Sequence, residues 1–243
     1  MVRTACVIAF GLSLFATSVR SQQPVHDSAA QERLGTVHFP TSCADTVSPG
    51  FDRAVALLHS FEFGASIRAF QGVLAADRTC AMAWWGIALS QWTNPMVPNI
   101  RPPELLARGR AAADSALRLS EYTSARERAW IAAVARLYAD ADPRSQRQRV
   151  DDYERAMAEL VAAYPEDEEA RIFHAIALVA AADPADKRYA NQLRAGAVLE
   201  ELFARRPDHP GLAHYIIHTY DVPALAARAS RAARRYAEIA PSA

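Results

Sequence analysis

The chain has 243 residues, 51% of them hydrophobic and 22% charged, a globular composition long enough for one domain with a sizeable core. Its 27 basic side chains match 27 acidic ones, so the charge balance gives no general pull toward nucleic acid.

The N-terminus reads as a secretory signal, predicted over residues 1–21. Arg3 supplies the positive start, an apolar run follows it, and Ser18 and Ser21 offer small residues for cleavage before Gln22. The run is shorter than the roughly 20 apolar residues a spanning helix needs, and no later segment qualifies, so no membrane span is expected. The mature chain is therefore expected in the periplasm or secreted, with 25 basic and 27 acidic side chains once Arg3 and Arg20 are gone. Export also changes how cysteine reads. Cys43 and Cys80 remain, and in an oxidising compartment such a pair is expected to be bridged, two buried thiols being the alternative.

Residues 22–36 are polar and aperiodic and are expected to be a disordered lead-in. The folded part is set at 37–243, opening with a short extended segment that carries Val37, Phe39 and Cys43. Residues 51–91 then hold apolar side chains at three- and four-residue spacing, including Phe51, Ala54, Leu58 and Phe61, then Ile67, Phe70 and Leu74. The phase breaks near Gly64 and Asp77, which predicts three helices joined by short turns.

Prolines punctuate the remainder. Pro49, Pro103, Pro143, Pro184 and Pro223 stand where helices begin, and Pro165 and Pro207 where they end. Between them lie helix-forming windows at 104–120, 124–140, 145–164, 168–182 and 189–206. None alternates with period two, so no sheet is expected. About ten helices result, in five pairs whose first members start near Phe51, Cys80, Thr123, Asp167 and Gly211. After the first step the interval is roughly 44 residues, which indicates an all-α solenoid of about five helical hairpins. Residues 92–101 form the one sizeable loop.

LLHSFEFGASIRAFQGVLAADRTCAMAWWGIALS resembles a degenerate tetratricopeptide (TPR) repeat, with Phe70, Leu74 and Asp77 at marked positions of its second helix. The stretches LHSFEF, CAMAWWGIALSQWTNP, RERAWIAAVARLY, DHPGLAHYIIHTYD and AARRYAEIAP are similar to an exported bacterial family of such repeat proteins. The resemblance spans most of the chain after residue 33 and implies TPR-like hairpins whose first helices line an inner wall. It implies no particular activity. Arg78 departs from the usual proline after Asp77, and relatives continue beyond Pro241, so the last hairpin of a truncated chain is expected to expose apolar surface.

Chemistry concentrates in His209-Pro-Gly-Leu-Ala-His214-Tyr-Ile-Ile-His218-Thr-Tyr-Asp221. On a helix His214, His218 and Asp221 share one face, a stripe that suits a hydrogen-bonded groove lining or, as the alternative, three ligands to a zinc ion. Tyr215 replaces the glutamate that a metalloprotease helix needs after its first histidine. Asp52 and His59 repeat the pattern in the first helix. If the first helices line an inner wall, then Asp52, His59, His214, His218 and Asp221 face one groove suited to a protein or peptide ligand. His174 reads as a satisfied, partly buried histidine, and Trp84 and Trp85 as core. The chain has no G-x-S-x-G, phosphate loop, dinucleotide glycine signature or C-x-x-C, so no cofactor is expected and the favoured function is non-enzymatic binding. The runner-up is a metal-dependent activity using His214, His218 and Asp221.

Overall fold

The computed structural model describes residues 32–243. The expected signal sequence, and the lead-in as far as residue 31, lie outside the described residues. Ten α-helices follow one another: α1 Ser48–His59, α2 Phe63–Ala76, α3 Ala81–Trp92, α4 Pro103–Leu119, α5 Ala125–Arg136, α6 Gln146–Ala163, α7 Glu168–Ala180, α8 Ala190–Arg205, α9 Pro210–Thr219 and α10 Ala226–Ile239. There is no strand among the described residues. Each helix packs against the next, and the odd-numbered helices also pack against one another in a second layer. None is long and apolar enough to cross a membrane.

Local chemistry sets the helix starts. Pro49, Pro103 and Pro210 each occupy the first turn of a helix, where a missing N–H costs nothing. Ser124 and Glu127 form a reciprocal capping box at α5, and Asp167 caps α7 by accepting from the Ala170 N–H. Helix α5 ends at Arg136, before the expected 140. Leu137 and Tyr138 leave it in a turn that buries both, and the Tyr138 hydroxyl donates to the Ala88 carbonyl at 2.7 Å.

The inner wall is closed. Helix α1 packs against α9 as well as α2 and α3, which joins the first odd helix to the last. The space between them is filled by Phe39, whose ring lies 5.6 Å from Phe51, 5.3 Å from Trp85 and 5.1 Å from Trp130. Phe173 of α7 completes the cluster against Trp85 and Trp130. Trp85 is fully buried here, as its apolar helix predicts. The inner faces expected to line an open groove are therefore core, because they meet one another rather than solvent.

Residues 33–44 run as an extended strap over the N-terminal ends of the odd helices. The Arg33 N–H donates to Ser242 Oγ and the Ser242 N–H returns a bond to the Arg33 carbonyl. Further along, the Thr36 N–H donates to the Asp208 carbonyl, Phe39 N–H to Asp52, Ser42 N–H to Glu127 and Ala44 N–H to Asp77. Leu34 is buried, and these bonds from Arg33 and Thr36 lay the residues just before 37 on the helices as well. Gly35 has φ +80°, and a Cβ there would stand 2.9 Å from Ile239, so only glycine lets the strap lie against α10. Strap contact also buries Ile239, and none of the large exposed hydrophobic residues belongs to α9 or α10. The apolar surface expected on the last hairpin is covered.

Cys43 and Cys80 form the expected disulfide, which pins the end of the strap to the start of α3 across 37 positions. A loop of that length constrains the unfolded chain by about 4 kcal/mol in the chain-entropy account. A Cys43→Ala, Cys80→Ala double variant is expected to lose about 2–4 kcal/mol, read as a lower urea midpoint. Alanine is the informative choice, because serine at position 80 would add an N-cap to α3.

Candidate functional site

Three helices bring polar side chains to one buried point. His59 is the last residue of α1, Glu169 lies in the first turn of α7, and His209 is the N-cap of α9. All three are buried, His59 completely. His59 Nε2 is 2.9 Å from Glu169 Oε2, and His209 Nε2 is 2.9 Å from Glu169 Oε1. Tyr215 Oη lies 3.0 Å from His59 Nδ1. Helix α9 comes this close because position 211 is glycine: a Cβ there would stand 2.5 Å from His59 Nδ1.

The partners fix where the protons are. The Leu212 backbone N–H donates to His209 Nδ1, so a neutral His209 carries its proton on Nε2 and donates it to Glu169. Burial pushes the His59 pKa down and keeps the ring neutral, against the pull of Glu169. Its Nε2–H then donates to the other carboxylate oxygen, and its Nδ1 accepts from the Tyr215 hydroxyl. Burial and the nearby Glu169 charge hold the Tyr215 pKa well above its usual value, so the hydroxyl keeps its proton. Burial alone would raise Glu169, but the two histidines and the hydrogen bonds they aim at it outweigh that and hold it well below the usual carboxylate range.

A second histidine pair adjoins the first group. The His214 Nδ1–H donates to the His59 carbonyl at 2.6 Å, which leaves His214 Nε2 to accept from His218 Nε2–H at 3.0 Å. Phe61 packs beside them at φ +61°, a left-handed backbone that is strained for a phenylalanine. Its ring centroid lies 4.6 Å from His214 and 5.4 Å from His218, and Tyr236 stacks on His214 at 4.9 Å.

The five residues expected to share a groove are thus divided. Asp52 is half-buried beneath the strap, accepting from Phe39 N–H and lying 3.5 Å from His38. His59 and His214 are core, His218 is partly buried, and Asp221 is exposed beyond the end of α9. The three-ligand set of His214, His218 and Asp221 does not assemble: the two Nε2 atoms face each other, and Asp221 bonds to His218 through its backbone N–H and the His218 carbonyl, not through its carboxylate. Among the described residues, groups of three potential ligands occur at Cys43, Asp77 and Cys80, where the sulfurs are spent in the disulfide, and at His59, Glu169 and His209, whose ligand atoms lie within 4.8 Å of one another. Glu169 and the role of His209 escaped the sequence reading. The run Glu166 to Glu169 looks like ordinary N-terminal helix charge, and nothing local marks its last member as buried. His174 behaves as expected, bonded to Glu154 at 3.0 Å.

The Glu169–His209 edge of the buried group opens onto a cleft of about 930 Å³. Thr36, His38 and Pro40 of the strap form one wall, the α6–α7 turn a second and the α8–α9 turn a third. Exposed Pro40, Pro165 and Pro207 surround the mouth. Arg126 pairs with Asp167 at 2.6 Å and donates to the Pro40 carbonyl, and Arg206 pairs with Glu168 at 2.9 Å. A second hollow, at the C-terminal end of the inner helices between Phe61, Trp92 and Tyr153, holds only about 20 Å³, room for roughly one water.

Replacing Glu169 by leucine leaves two buried N–H donors unpaired and is expected to cost about 3 kcal/mol or more in chemical unfolding. Glutamine keeps one acceptor oxygen and should cost clearly less. A pH effect is expected at His214, whose pKa falls from 6.5 to about 4, chiefly through burial. Below pH 6.5 the unfolded chain takes up a proton that the folded chain refuses, so stability declines as pH falls toward 4, by on the order of 2–3 kcal/mol. Urea midpoints between pH 7 and 4 should show this decline, and His214→Phe should make it shallower.

Comparison with protein-family models, with curated proteins and with solved structures finds no match for this chain, so the function rests on the geometry of this site.

Proposed function

We propose that the chain is an exported helical-repeat protein of the TPR-like kind, which binds a protein or peptide segment and does no chemistry on it. The observation that carries this reading is the cleft between the strap and the α6–α7 and α8–α9 turns, whose volume falls within the usual range for ligand sites. Its mouth combines apolar surface from Pro40, Pro165, Pro207 and Tyr164 with charges of both signs, a mixture suited to an extended segment with alternating apolar and polar side chains. The walls are held in advance. Arg126 ties strap to α7, and the Thr36–Asp208 bond ties strap to the α8–α9 turn, so little ordering is needed on binding. The groove of the sequence reading thus moves from the inner wall to the rim. Export is supported by the disulfide, which an oxidising compartment favours, and by the signal-like pattern of residues 1–21.

Site-specific photo-crosslinking in the cell envelope tests the proposal. A photoreactive residue at Glu166, on the cleft, should trap one or a few discrete partners; the same residue at exposed Leu117 of α4 should not. Identical products from both positions would remove the cleft from consideration.

A further inference from the structure

We propose that His59, Glu169 and His209 form a binding site for a divalent ion of the zinc class at the floor of the cleft. The site goes beyond the ligand-binding reading and does not depend on it.

Composition is the first support: two imidazoles and one carboxylate are a ligand set that zinc uses with a fourth position left open. The spacing is the second. Bonds of about 2.0–2.1 Å at tetrahedral angles place ligand atoms roughly 3.3–3.4 Å apart. Here each histidine Nε2 is 2.9 Å from a carboxylate oxygen, and all the ligand atoms lie within 4.8 Å, so side-chain shifts below an ångström suffice. Access is the third. Glu169 and His209 line the cleft, and His59 closes the site from behind, so an ion entering from the cleft meets its ligands on one side and solvent on the other.

Proton positions balance without any net loss. Metal at Nε2 requires each neutral ring to carry its proton on Nδ1. For His59 that proton points at Tyr215 Oη, 3.0 Å away, which becomes its acceptor and orients the ring in the way typical of ligating histidines. For His209 the proton meets the Leu212 N–H, so the ion displaces the N-cap bond of α9. At 3.3 Å that bond is the longest in the group and the weakest obstacle. Glu169, already ionised, needs no proton removed. The hydrogen-bonded group is thus the resting form of the site, and the ion stands in for the two protons shared with the carboxylate.

The test is titration of the full, oxidised, chelator-treated protein with Zn²⁺ and with Co²⁺, followed by calorimetry and visible absorption. One ion per chain is expected, with the Co²⁺ band of a four-coordinate site. His209→Ala and Glu169→Gln should each weaken binding roughly a hundredfold or more, more than the 10–100-fold cost of altering an outer partner. Circular dichroism checks that both variants remain folded, and Tyr215→Phe serves as a milder variant, expected to weaken binding about tenfold or more. His218→Ala should leave the affinity unchanged. Absence of stoichiometric binding in the unaltered protein, retention of binding in His209→Ala, or its loss in His218→Ala would each overturn the assignment.

Discussion

The carboxylate of Glu169 is the constraint on which the rest depends. It is a buried charge, and such a group is destabilising by several kcal/mol unless its oxygens are satisfied. Both are, one by a histidine from the first helix and one by a histidine that caps the ninth. Those donors are far apart in sequence, so the carboxylate is satisfied only when α1 has closed onto α7 and α9. Closure in turn makes the inner wall solid: with α1 against α9, the aromatic rings of Phe51, Trp85, Trp130 and Phe173 have no exit to solvent and pack around Phe39.

The strap is the other half of the same arrangement. Phe39 reaches the centre because the residues around it are bonded in turn to helix N-terminal ends, at Asp208, Asp52 and Glu127. An acidic side chain is favourable at such a position on its own account, since it faces the positive end of a helix. Here Asp52 and Glu127 also accept the strap N–H groups of Phe39 and Ser42. The strap therefore forms a cleft wall with no secondary structure of its own, its backbone groups paired to side chains instead of to a neighbouring strand.

Much of the fold is legible in the sequence. Three- and four-residue spacing and proline punctuation place the helices, and the starts of α4, α6, α7 and α8 fall within a residue or so of expectation. A cysteine pair in a chain with a signal-like N-terminus predicts the bridge. Closure is not legible in the same way. Periodicity says which face of a helix is buried but not which helix covers it, so the stripe of His59 in α1 and His214 in α9 reads equally well as groove or as core. Packing decides for core. Glu169 is hidden for a related reason: of the four consecutive acids from Glu166, the helical phase of α7 turns only one toward two histidines that the sequence places 110 and 40 positions away.

Closure also determines where recognition can occur. An open stack offers its concave inner wall, and side chains on the first helices then carry specificity. In a closed one those side chains serve stability, and the proposed binding surface falls at a rim instead. The N-terminal rim is the better furnished of the two. Its turns carry exposed prolines, fixed in backbone conformation and costing little entropy to hold in place, and its arginines are already paired with carboxylates that aim them. The C-terminal end of the inner helices narrows instead to a small apolar hollow beneath Phe61 and Trp92. The histidines expected to touch a ligand hold the helices together, and the one edge of their network that reaches solvent does so at the rim, through His209 and Glu169.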